Sequence, residues 1–200
     1  MLCEGNQDKI LHPFMFFNIG LNEWIKRIYG DKHIYFEGHS VFLQTMDRGR
    51  WMLRWGVGVN ALKALQSSTD TLGVISSVAD LVYTVCDIGS YLQSFAPQVL
   101  RYNGSSLGKI ACFCWFFNSW LSIYKLLQKL QRLNSERKDR GPTEEIDETR
   151  QQIKLLMLNS ILAANWASPR GQFMGNYPIS LIGFYVGVIN FAKHYRKIPE

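Results

Sequence analysis

An all-α fold, a helical bundle with an amphipathic membrane-binding helix and one or two membrane-embedded helices, is predicted by three observations. Apolar residues recur at 3–4 spacing along most of the chain, period-2 alternation is scarce, and Gly and Pro clusters fall between the helical patterns. Charge-free blocks also alternate with charge-dense ones, although mean hydropathy over the 200 residues is only -0.08. A chain of that length makes one domain, 1–200, with a sizeable core. With 47% apolar and 19% charged residues it is neither disordered nor a multi-span transporter.

The first helix is expected over Asp8–Tyr29, where Ile10, Leu11, Phe14, Phe17, Leu21, Trp24, Ile25 and Ile28 hold one apolar face. A second begins near Phe42 or Asp47 and runs to Ser67, and a third covers Thr71–Phe95, stopping at Pro97. Asn103-Gly104-Ser105-Ser106 is a turn whose serines are candidate N-caps for a fourth helix, Leu107–Asn134. The span 134–150 holds ten charged residues among seventeen around Gly141-Pro142 and reads as a solvated linker. Thr143 is placed to cap a fifth helix, with Glu144 and Glu145 in its first turn, that ends near Ala167 before Ser168-Pro169-Arg170-Gly171.

The last apolar segment, 171–192, has twenty-two residues without a charge. At about 1.5 Å per residue it reaches roughly 33 Å, enough for a transmembrane candidate. Gly183 and Gly187 within it form a G-x-x-x-G face suited to helix–helix association. Ile110–Tyr124 is also charge-free and aromatic, yet spans a bilayer only if Lys109 and Lys125 snorkel; a buried or interfacial helix fits equally. Thr71–Leu100 lacks Lys and Arg but carries Asp80 and Asp87, two carboxylates that oppose simple lipid spanning. Asp80, Thr84, Asp87 and Tyr91 follow i, i+4, i+7, i+11 as one polar stripe, either a solvated face, a seam against another helix or a water-lined path.

The formal charge of +6 points to an anionic partner. Lipid headgroups fit better than nucleic acid, because basic residues flank large apolar and aromatic side chains. The stretch from Arg48 concentrates this pattern. Projected at 100° per residue, Trp51, Trp55, Val59, Leu62 and Leu65 share one arc, with Arg54 at one margin, Arg48 and Lys63 at the other, and Arg50 extending the basic rim. Indole rings with cationic margins suit the headgroup boundary, so Arg48, Arg50, Trp51, Arg54, Trp55, Val59, Leu62 and Lys63 are the candidate membrane-binding residues. A core helix edged by arginines gives the same pattern.

No catalytic residue, metal site or cofactor is expected. His12, His33, His39 and His194 are scattered, no phosphate-binding or nucleophile-elbow motif occurs, and Cys112 and Cys114 point about 200° apart on a helix.

The segment resembles the amphipathic helix of the peroxisomal biogenesis factor 11 family, whose Gly-Arg, further Arg, Gly and Ala-Leu recur as Gly49-Arg50, Arg54, Gly56 and Ala61-Leu62. Tyr83 and Asp87 match the family's Tyr-x-x-x-Asp, Trp115, Ser119 and Tyr124 its next aromatic helix, and Asp8-Lys9 its opening. Ser122-Ile123 departs from the Arg-Asp that precedes the matched Tyr, and Gln93-Ser94 replaces an expected basic residue. The resemblance implies a peroxisomal membrane protein, or a glycosomal one of kinetoplastid type, that elongates the membrane and promotes division. It also implies self-association as a homo-oligomer and contact with a dynamin-related GTPase and its adaptor. A pore for small metabolites is the alternative activity.

A peptide covering 47–67 is expected to be disordered in buffer and helical on anionic vesicles, because nothing else buries its apolar arc. Circular dichroism with neutral and anionic liposomes tests this, and equal helicity with and without lipid would favour the core-helix reading.

Overall fold

The structure, a computed structural model, describes the backbone of residues 6–98, 101–136 and 144–195 and the side chains of 11–47, 58–98, 101–135 and 144–193. Among these residues there are six helices and no strand: α1 Asn6–Tyr29, α2 Ile34–Ser67, α3 Thr71–Phe95, α4 Gly104–Glu136, α5 Glu144–Ala167 and α6 Asn176–Tyr195. The all-α expectation holds. Each helix packs on its neighbours in sequence, and α1 packs on α6, so the contacts form a closed cycle.

Local chemistry sets the helix ends. Gly30, at φ 85°, turns the chain out of α1 while its N–H bonds the Lys26 carbonyl. Only three residues then pass before α2, where His33 Nδ1 accepts from the Tyr35 N–H at 3.3 Å. This start precedes the expected one at Phe42 or Asp47. The reason lies in the inward face of the first turns, which is partly polar and so lacks an apolar period. Asn18 donates to the Phe14 carbonyl, which leaves its Oδ1 facing His39 Nε2 at 3.0 Å, while Nδ1 lies 3.1 Å from Asn22 Oδ1. Burial there pushes the His39 imidazole pKa below its ordinary value.

The α3 bounds are as expected, with Asp70 accepting from the Gly73 N–H at 3.0 Å and Pro97 beyond the end. For α4 the cap is Asn103, whose Oδ1 accepts from the Ser106 N–H at 3.2 Å, rather than a serine. Of the charged stretch 134–150, residues 134–136 close α4 and 144–150 open α5, the two helices being tied by Lys129–Glu145 at 2.8 Å, and 137–143 lie outside the described residues. Thr143 lies outside the described residues.

α1 and α6 run antiparallel with almost no space between them. A Cβ at Gly183 would sit 2.0 Å from Phe16 Cδ1, and one at Gly187 would sit 2.8 Å from the backbone nitrogen of Pro13. Ser180 reaches across to donate to the Phe16 carbonyl at 2.6 Å. The G-x-x-x-G face therefore associates within the chain. Phe16, Leu162 and Ile179 form the core cluster, with Trp115, Trp166 and Met174 packed against it. Asn165, wholly buried, fixes the α5–α6 connection by accepting from the Met174 N–H at 2.8 Å.

The outer surface is strongly apolar. Val85 is 68% exposed, Leu181 70%, and Phe14 and Phe113 59% each, with further large apolar side chains outward on every helix. Exposed apolar surface of this kind is the character of an interaction face toward a partner or a membrane. Gly187→Ala should destabilise the fold by about 1–3 kcal/mol, since its methyl meets backbone that cannot rotate away. Thermal melts in detergent check this; a melt unchanged from the parent would refute the close α1–α6 contact.

Candidate functional site

Among the described residues two helices are long and apolar enough to cross a membrane by length and composition, α3 at mean hydropathy 1.5 and the α4 stretch Gly104–Ser135 at 1.3. The C-terminal span 171–192, the expected candidate, is not one of them: 171–175 are not helical, and α6 begins only at Asn176. Its glycines and Ser180 face α1. The two carboxylates of α3 had argued against that helix, and its contacts explain how it carries them. Asn118 of α4 donates to Asp80 Oδ1 at 2.6 Å, and its own Oδ1 accepts from the Ser76 hydroxyl. The Asp80 carboxylate is thus bonded inside a helix–helix seam, not turned toward lipid.

The polar stripe does not stay on one face of the environment. Asp80 meets α4, whereas Thr84 is buried, donates to the Asp80 carbonyl at 2.8 Å and lies under Gly58 of α2. Asp87 turns into a central cavity, and Tyr91 pairs with Phe95 at a ring separation of 6.5 Å. Of the three readings, the seam fits Asp80 and Thr84, and a lined internal space fits Asp87.

That cavity, of about 450 Å³, draws its lining from all six helices. His12 and Phe16 come from α1, Leu43 and Asp47 from α2, Tyr83 and Asp87 from α3, Trp115 from α4, Trp166 from α5, and Ile179 from α6. Tyr83, Asp87 and Trp115, singled out in the sequence for separate reasons, are brought together here. His12, Asp47 and Trp166 were not foreseen as partners. Their only sequence signal is that each lies on the inward face of its helix, which local pattern cannot distinguish from an ordinary core position.

On the outside of α2, Val59 and Leu62 are 53% and 51% exposed and Lys63 is exposed as well. Gly58, just before Val59, and Ala61, just before Leu62, are buried, with Gly58 against α3. The C-terminal part of the expected apolar arc therefore projects away from the bundle. Arg48, Arg50, Trp51, Arg54 and Trp55 belong to α2 by backbone, but their side chains lie outside the described residues. Among the described residues no group of His, Cys, Asp and Glu is placed to hold a metal ion.

Asn118→Leu is expected to cost about 1–3 kcal/mol of stability, because it leaves the half-buried Asp80 carboxylate without its donor. Asp80→Asn should cost much less, since the amide retains an acceptor oxygen for Asn118 and loses a charge. Denaturation in detergent micelles ranks the two; the reverse order would show that Asp80 is solvated instead.

A family model described as peroxisomal biogenesis factor 11 matches residues 39–167, from within α2 to the end of α5. No curated protein and no solved structure matches the chain.

Proposed function

The chain belongs to the peroxisomal biogenesis factor 11 family, a family of biogenesis factors rather than of enzymes, and on that premise we propose that it embeds in the peroxisomal membrane and reshapes it. What carries the reading is the apolar exterior. Large side chains such as Val85, Phe113, Leu181 and Phe14 stand outward, while polar groups such as Asp80 and Asn118 bond to one another inside. This inside-out distribution suits a bundle solvated by acyl chains, where internal polar groups need internal partners.

Within the bundle, α2 is the element suited to act on curvature. Val59 and Leu62 extend outward beside Lys63, continuing the arc that begins with Trp51 and Trp55 and is rimmed by Arg48, Arg50 and Arg54. Wedged at headgroup depth in one leaflet, such a helix expands that leaflet and favours elongation. Anionic lipids are the natural counterpart of its basic rim. The same reading includes self-association, engagement of a dynamin-related GTPase with its adaptor to complete division, and, in a kinetoplastid-type cell, a glycosomal location.

The second reading is a pore for small metabolites, supported by the cavity at the centre of the helix cycle and by Asp87 on its wall.

Carbonate extraction and vesicle tubulation together test the proposal. The protein should remain in the membrane pellet, and the double change Trp51→Ala and Trp55→Ala should abolish tubulation while the fold persists by circular dichroism. Asp87→Asn should leave tubulation intact. A folded Trp variant that tubulates like the parent would eliminate the wedge, and altered bilayer conductance in Asp87→Asn alone would favour the pore.

A further inference from the structure

We propose that α1 and α6 together form a hinged flap on the bundle, which swings as one body away from α2–α5 and opens the central cavity to the surrounding acyl chains. The inference rests on the bundle being embedded in a bilayer, as argued above.

The two helices are bound to each other at both ends of their contact. Pro13 meets Gly187, Phe16 meets Gly183, and Ser180 bonds the Phe16 carbonyl. Further along, Asn176 Nδ2 donates to Glu23 Oε2 at 3.0 Å, and the Arg27 guanidinium lies over the Tyr177 ring at 4.5 Å. Each packs more extensively on the other than on any further helix. Among the described residues, the backbone of the pair closely approaches only α2 and α5, its neighbours in sequence, and the α5–α6 seam is the slightest in the bundle.

Both connections to the frame leave from one end, since Asn176 at the start of α6 lies beside Glu23 near the end of α1. Gly30 at φ 85° sits in one and Gly171 at φ 94° in the other, and among the described residues no other position has a positive φ. A Cβ on either would meet nothing within 4 Å, so the backbone turn and not close packing requires glycine there. Two turns that carry no side chain and touch no neighbour can change φ and ψ without a clash, which is the property of a hinge. Polar ties of the pair hold the same end. His39 of α2 lies between Asn18 and Asn22, at 3.0 and 3.1 Å, and the Met174 N–H bonds Asn165 Oδ1 of α5.

Across the seam, flap and frame meet through apolar side chains. Phe16 lies 6.0 Å from Trp166 and packs with Ile179 against Leu162. In a bilayer, acyl chains replace such contacts when they part, so little hydrophobic force holds the seam closed. The cavity wall divides accordingly, with His12, Phe16 and Ile179 on the flap and Leu43, Tyr83 and Trp115 on the frame. A swing therefore draws one wall of the cavity away from the other.

Double electron–electron resonance on the full chain in lipid nanodiscs tests the flap, with Cys3, Cys86, Cys112 and Cys114 replaced by alanine. Nitroxides go on pairs of outward positions: Met157→Cys with Val188→Cys across α5 and α6, Phe17→Cys with Leu181→Cys within the flap, and Val74→Cys with Leu127→Cys within the frame. The first pair should show two distance populations and the other pairs one each. Gly30→Ala with Gly171→Ala strains both turns and should enlarge the longer population roughly fivefold or more. Gly38→Ala, on helical backbone with open space around it, should leave the populations unchanged. Should the double glycine variant fail to fold, the three distributions of the parent decide the question. A single narrow distance for Met157 with Val188, or an equal second population within the Phe17 and Leu181 pair, overturns the flap. A folded double variant with the parent's distances overturns the hinges. A protein that resists carbonate extraction yet shows one seam distance loses this inference alone, whereas one that carbonate releases loses the membrane reading.

Discussion

The contact of Phe16 with Gly183 is the constraint on which the remaining architecture depends. Phe16 occupies the volume a side chain at Gly183 would need, and Pro13 does the same at Gly187. That close approach joins the first helix to the last and closes the cycle of contacts. It also fixes Phe16 as both the centre of the core cluster and a wall of the cavity. Widening the α1–α6 seam by one methyl would shift Phe16, and with it the ring row through Trp166 to Trp115. The cavity and the fold therefore share one set of contacts.

A bundle whose large apolar side chains point outward gains little from their burial in water. Its coherence must come from close packing and from polar groups that find partners inside. The helix interfaces have this character. Gly58 lies on Thr84, Gly89 on Leu107, Gly104 on Gln93 and Gly108 on Ser90, so small residues let α2, α3 and α4 approach closely. Ser76, Asn118 and Asp80 then stitch α3 to α4 in the same region. Small residues and internal hydrogen bonds do the work that bulky aliphatic contacts do in a soluble core.

This division explains what the sequence revealed and what it concealed. The bounds of α3 were legible because Asp70 and Pro97 act on their own neighbours. The early turns of α2 were not, since their inward face is built on His39 and its amide partners on α1, a non-local pairing. Counting charges in the C-terminal segment could not show that Gly183 and Gly187 pack on α1. The pattern of α3 likewise could not show that the donor to Asp80 lies 38 residues away in α4. For the site, Tyr83 and Asp87 were visible as a spaced pair, and their companions became visible only when six separate helices met around one space.

The two faces of α2 bring the surface and the interior into one mechanical unit. Leu43 and Asp47 line the cavity, and roughly three to five turns further along the same continuous helix Val59 and Leu62 project outward. A helix cannot change its depth or roll in a leaflet without moving both. Any roll that drives Val59 and Leu62 deeper into lipid turns Leu43 and Asp47 relative to α1 and α3, which reshapes the cavity.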